Sequence, residues 1–123
     1  MISIDIKIKR VYARMIHVIL NEQYKIAKVI STFCELPEKH QDALVCWLKR
    51  EIKEPLFDKY TTDSVYYIDF LKGILMRYTG RDGLGEPVWK DLAKIIGKFI
   101  MSDECKYADM CAKESVKEEL ENL

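Results

Sequence analysis

Two histidines, His17 and His40, and four cysteines, Cys34, Cys46, Cys105 and Cys111, are the side chains from which a metal centre or a thiol nucleophile would be built. Structural zinc sites usually draw their ligands in close pairs, roughly two to four residues apart. The nearest cysteines, Cys105 and Cys111, have five residues between them. Cys105 and Asp109 can meet across one helical turn, but two ligands do not make a site. The spacing therefore favours cysteines that pack as small hydrophobes, and it predicts no metal and no other cofactor. A cysteine nucleophile needs a histidine and an orienting group beside it. His40 and Cys46 are six positions apart and fall on different sides of one helix. His17 sits among apolar residues, where a hydrogen-bonded structural histidine is the commoner arrangement. Nearly every carboxylate falls on a face expected to be solvated, so no acid–base pair stands out. The expectation is that the chain is not an enzyme and has no catalytic residues.

Binding chemistry is easier to place. TGRDGLGEPVWKDLAK, residues 79–94, is rich in glycine but lacks the terminal Lys-Ser/Thr of a phosphate loop and follows no plausible strand. It does lead into a helix start, where free N–H groups attract anions. Arg77, Arg81, Lys90 and Lys94 are close in sequence there, and Trp89 offers an apolar anchor of the kind that often dominates interfaces. Glu86 and Asp91 argue the other way by supplying negative charge to the same turn. These five residues, Arg77, Arg81, Trp89, Lys90 and Lys94, are the candidate partner-binding set. The rival reading is a connection between antiparallel helices with Trp89 in the core. Lys7, Lys9, Arg10 and Arg14 form an alternative basic face suited to nucleic acid. A helix-turn-helix needs a turn of about three or four residues, and the stretch from Tyr78 to Pro87 is longer than that. Seven Tyr, four Phe and two Trp are a generous supply of large amphipathic side chains for contact surfaces or core boundaries. A non-enzymatic protein-interaction or assembly module is the main expectation, with nucleic-acid binding as the alternative.

The elements that must position these residues are helical by period. In VYYIDFLKGILMRY, Val65 to Tyr78, ten of fourteen residues are apolar or aromatic. Asp69, Lys72, Gly73 and Arg77 leave only a thin polar stripe on a helix there. The prediction is an all-α, compact bundle of five to six helices, orthogonal or up-down, around a buried central helix over 63–79. Thr62 or Asp63 would cap that helix, and Gly73, like Gly97 later, suggests close approach of another backbone.

Residues 2–9 alternate strictly, as a short N-terminal strand would, with Ile2, Ile4, Ile6 and Ile8 on one face. A helical period competes: Ile4, Ile8, Val11, Met15 and Val18 follow a 4-3-4-3 spacing from about Ser3 to Leu20. No second strand is available for pairing, so helix is favoured; as a strand, the segment would pair with its copy in another chain. Tyr24, Ala27, Ile30 and Phe33/Cys34 mark a second apolar face. Pro37 opens a third helix with His40, Leu44, Trp47, Leu48 and Ile52 on one side, ended by Pro55. Pro87 opens another, with Val88, Leu92, Ile95, Ile96 and Phe99 inward. Ser102 or Asp103 caps the last, whose weaker face is Tyr107, Ala108, Cys111, Ser115 and Leu120.

A chain of 123 residues suits one domain, 1–123. Twenty Lys plus Arg cancel twenty Asp plus Glu, so overall charge suggests no nucleic-acid partner. Residues 1–30 carry six cations against two acids, and residues 101–123 carry three against seven. Such opposite ends can lie together in the fold or form two unlike surfaces. Arg14 and His17 interrupt the apolar run near the N-terminus, and no small-x-small site follows, so no signal peptide is expected. Nor is any run long enough to span a membrane. Reduced cysteines in an intracellular protein are the matching expectation, with nucleus and cytoplasm not distinguished.

Overall fold

Asp5 caps the helix that begins at Ile6. Its carboxylate accepts a hydrogen bond of 2.8 Å from the Lys7 N–H, and its carbonyl accepts one of 2.9 Å from the Lys9 N–H. The first satisfies an orphan donor of the first turn, and the second is the first bond of the helical ladder. The computed structural model describes residues 5–21, 25–52 and 67–121, with side chains described as far as 113. Within them the chain forms six helices: α1 (Ile6–Leu20), α2 (Ile26–Cys34), α3 (Glu38–Ile52), α4 (Tyr67–Arg77), α5 (Trp89–Ile100) and α6 (Asp103–Glu121). The fold is an all-α bundle.

The helical period prevails over the alternating one at the N-terminus, so Ile6 to Lys9 are not a strand. The buried face of α1 is Val11, Tyr12, Met15, Val18 and Ile19, with Ile8 half-buried. That is the expected seam, widened by Tyr12 and Ile19; Ile2 and Ile4 lie outside the described residues. A strand would have turned Ile6 and Ile8 to the same side, whereas Ile6 is exposed. In α2 the buried residues are Val29, Ile30, Thr32 and Phe33, while Ala27 and Cys34 are exposed. Thr32 is tolerated inside because its hydroxyl donates 2.8 Å to the Lys28 carbonyl.

Pro37 begins α3 as expected: its carbonyl accepts from the His40 and Gln41 N–H groups. Ser102 is the cap of α6, its hydroxyl oxygen accepting from the Cys105 N–H at 3.2 Å. Among the described side chains of α6, Cys105, Ala108 and Asp109 are buried and Tyr107 is exposed. Ala108 is inside as expected and Cys111 is half-buried, whereas Tyr107 is displaced from the face by Cys105 and the buried carboxylate of Asp109; Ser115 and Leu120 lie beyond the described side chains.

The helix expected over 63–79 forms, described from Tyr67 to Arg77, and buries Tyr67, Phe70, Leu71, Ile74 and Leu75. Thr62 and Asp63 lie outside the described residues. Ile68 and Met76 are exposed, and among the described residues α4 packs chiefly on α2 and α3. More helix neighbours gather around α3, which meets α4, α5 and α6, and around α5, which meets α1, α3 and α6. Gly73 and Gly97 do not mark tight crossings: an added Cβ at either would meet nothing within 4 Å among the described atoms.

Aromatic side chains fasten the middle. The Trp47 indole N–H donates 3.0 Å to the Ile95 carbonyl, and its ring lies 5.7 Å from Phe99, which lies 5.8 Å from Tyr12. These edge-on and tilted rings tie α3, α5 and α1 through one apolar column.

Candidate functional site

Three places combine polar chemistry with a defined shape. The first is the loop before α5. Asp82 organises it: one carboxylate oxygen accepts from the Leu84 N–H at 2.8 Å and from the Glu86 N–H at 3.0 Å. The backbone closes on itself through Asp82 N–H to Glu86 carbonyl, 2.9 Å, and Gly85 N–H to Asp82 carbonyl, 3.0 Å. Gly85 takes φ +82, a conformation that side chains disfavour. The Arg81 guanidinium donates 3.0 Å to the Gly85 carbonyl and lies 5.6 Å over the Trp89 ring. Two of the five candidate residues are therefore brought together, but as internal supports. Trp89 is 7% exposed and belongs to the core. Lys90 reaches Glu86 at 3.5 Å, Lys94 is exposed one turn further along α5, and Arg77 is exposed at the end of α4.

This geometry predicts an order of effects. Asp82→Ala removes two backbone acceptor contacts and is expected to cost about 1 kcal/mol. Arg81→Ala loses an exposed cation–π contact and is expected to cost about 0.5–1 kcal/mol. Urea midpoints of the two variants check both the order and the sizes.

The alternative basic face is partly spent. Lys7, Lys9 and Arg10 are exposed on α1, whereas Arg14 grips Glu35 with two hydrogen bonds of 3.1 and 2.8 Å. His17, expected to be structural, is exposed.

The second place is a buried polar cluster between α1, α3 and α6. His40 is fully buried, with Nδ1 2.9 Å from the Tyr12 hydroxyl. Its Nε2 lies 3.5 Å from Asp109 Oδ1 and makes no hydrogen bond. Asp109, also buried, is held on Oδ2 by the Asp5 N–H at 3.2 Å and by Lys113 Nζ at 3.1 Å. Cys105 completes the cluster beside Tyr12. Burial pushes the Cys105 thiol up to about 11 and raises the Tyr12 phenol as well. Burial also lowers His40, against a weaker opposite pull from Asp109. Such a thiol stays protonated at neutral pH and is a poor nucleophile. Among the described residues no group of three or more His, Cys, Asp and Glu is placed to hold a metal.

The third place is a groove of about 650 Å³ between α3 and α6. Small side chains line it, Ala43 and Cys46 from α3 and Ala108 and Cys111 from α6. The same three-residue spacing, Ala-x-x-Cys, stands on both helices as ALVC and ADMC. Successive turns of each helix therefore present little bulk to the space between them. Tyr107, which also lines the groove, is 68% exposed. Lys39, Asp103 and the Arg50–Glu104 pair, 3.1 Å apart, supply charge of both signs. Asp42 is engaged by the Tyr67 hydroxyl of α4.

Sequence reasoning missed this groove because it scored Ala108 and Cys111 as a core face; the matched Ala-x-x-Cys pairs were the available signal. Cys34 and Cys46 are exposed, Cys111 is half-buried and only Cys105 is in the core, and none of the four is in a disulfide. The chain shows no significant match to any protein-family model, curated protein or solved structure. Among the described residues no helix is long and apolar enough to cross a membrane.

Proposed function

We propose that the chain is a non-enzymatic protein-interaction module, and that its α3–α6 groove receives a short segment of a protein partner. The observation that carries this reading is the groove itself, a cleft of about 650 Å³ walled by small residues with an exposed tyrosine beside it. Its volume lies within the roughly 300–1,000 Å³ of ordinary binding clefts. Small walls let a partner's backbone come close, and tyrosine is among the side chains enriched at interface centres. The charges at the groove are of both signs, which favours a mixed polypeptide over a polyanion.

Tyr107→Ala and Cys46→Trp test it, the first removing an anchor and the second filling the cleft. Both sites are exposed, so stability should change by only about 0.5 kcal/mol for Tyr107→Ala. Affinity capture from cells with the parent chain should return a protein partner that survives nuclease and moderate salt. Both variants should lose that partner, Tyr107→Ala by about tenfold or more in affinity if it is a hot spot. Capture that is abolished by nuclease and falls steeply with salt, and that depends on Lys7, Lys9 and Arg10 instead, would establish the nucleic-acid alternative in its place.

A further inference from the structure

We propose that Tyr12, His40, Asp109 and Cys105 form an acid-sensitive latch joining α1, α3 and α6, closed while the His40 ring is neutral and released when the ring takes a second proton. The inference stands apart from the groove and concerns the fold's response to pH.

The tautomer follows from the neighbours. His40 Nε2 faces the Asp109 carboxylate at 3.5 Å. A bare lone pair there would oppose negative charge inside the protein, so Nε2 carries the hydrogen. Nδ1 is then the acceptor, and the Tyr12 hydroxyl donates to it across 2.9 Å. In this state the ring has one good hydrogen bond, and its N–H has a carboxylate oxygen 3.5 Å away without bonding to it. Two other titratable groups face the cluster. Cys105 lies beside Tyr12, and Lys113 holds the far oxygen of Asp109, together with the Asp5 N–H.

Adding a proton must place it on Nδ1, toward which the Tyr12 hydroxyl hydrogen already points. Tyr12 then has to turn its O–H away and accept instead, with the Cys105 sulfur as its remaining outlet. The contact of 2.9 Å is kept with its direction reversed, but the Tyr12 hydrogen is left with sulfur, a weak acceptor. The new positive charge is also fully buried, and Asp109 is already shared with Lys113 and the Asp5 N–H. Attraction to Asp109 favours the charged ring, but burial outweighs it and holds His40 below its ordinary value.

The sign follows directly. Above the unfolded histidine value near 6.5 both states are neutral and the latch contributes in full. As pH falls below that value the unfolded chain takes the proton first, and native stability declines toward the lower folded value.

Melting temperature measured between about pH 7.5 and 5.5, above the carboxylate range near 4, tests the latch on the full chain. The parent should lose several degrees over that interval, and H17Q should behave like the parent. H40Q, which cannot titrate, should give a nearly flat profile. In parallel, NMR titration of the parent should show the His40 ring changing only below the ordinary histidine range. Amide signals of Tyr12, Cys105 and Asp109 should move at the same midpoint. A flat parent profile, an H40Q slope equal to the parent's, or a His40 midpoint at or above the ordinary range would each overturn the proposal. If H40Q fails to fold, the parent's profile and ring titration decide the matter alone.

Discussion

Trp89→Ala is expected to lower the unfolding free energy by about 3–5 kcal/mol, the range for a large aromatic removed from a core. Trp89 is the first residue of α5 and one of its buried positions, together with Leu92, Ala93, Ile96 and Phe99. Its ring therefore fills space where the loop 79–88 enters the bundle. Arg81 stacks over the same ring from outside, and the loop is further fastened by a bond of 3.2 Å from the Val88 N–H to the Gly80 carbonyl. Truncation should leave a cavity and also remove the platform on which Arg81 rests. A domain of this kind has a total stability of roughly 5–15 kcal/mol, so the variant should unfold at markedly lower urea with its m-value retained. A cost near 1 kcal/mol would mean that the indole is a surface anchor after all. Trp89→Ala in an Arg81→Ala background separates the two contributions. The stacking term should appear as a coupling of about 0.5–1 kcal/mol, within the range for an exposed cation–π pair.

The contrast between Trp89 and Tyr107 shows what the sequence could and could not convey. Helix spacing located α1, α3, α4 and α5 because their core faces are long and repeat with the helical period. Val11, Met15 and Val18 were visible in this way, as were Leu44 and Leu48. Where a polar residue enters the core, the pattern shifts: Asp109 looks like a surface acid on α6, and only its partners from α1 and α3 show why it is inside. Trp89 has apolar and charged neighbours in the sequence, so its face was open to either reading until the loop closed over it. Arg81 resembled a mobile binding charge, yet its donors are turned to Gly85 and the Trp89 ring. The groove was illegible for a different reason. It depends on which faces of α3 and α6 oppose one another across fifty or more residues, and small side chains produce little periodic signal.

Tyr12 is the residue whose replacement should be felt by the most elements. It is fully buried, its hydroxyl meets His40 of α3, its ring lies edge-on to Phe99 of α5 at 5.8 Å, and Cys105 of α6 is beside it. Two substitutions divide its role. Tyr12→Phe keeps the ring and removes the donor, leaving His40 Nδ1 buried without a partner, at an expected cost of about 1–3 kcal/mol. Tyr12→Ala removes the ring as well, and the cavity adds about 3–5 kcal/mol. The sum approaches the whole stability of a modest domain, so the alanine variant should be largely unfolded or strongly cold- and urea-sensitive. The distinguishing measurement is a third variant. Tyr12→Phe combined with His40→Leu leaves neither a donor nor an acceptor behind, and apolar replacement of both partners can be nearly neutral. The double variant should therefore be more stable than the two single changes added together, with a coupling of about 0.5–3 kcal/mol in urea titrations at neutral pH. Simple additivity would mean that the two side chains contribute only through their separate packing. In that case the hydrogen bond between α1 and α3 adds nothing to the fold.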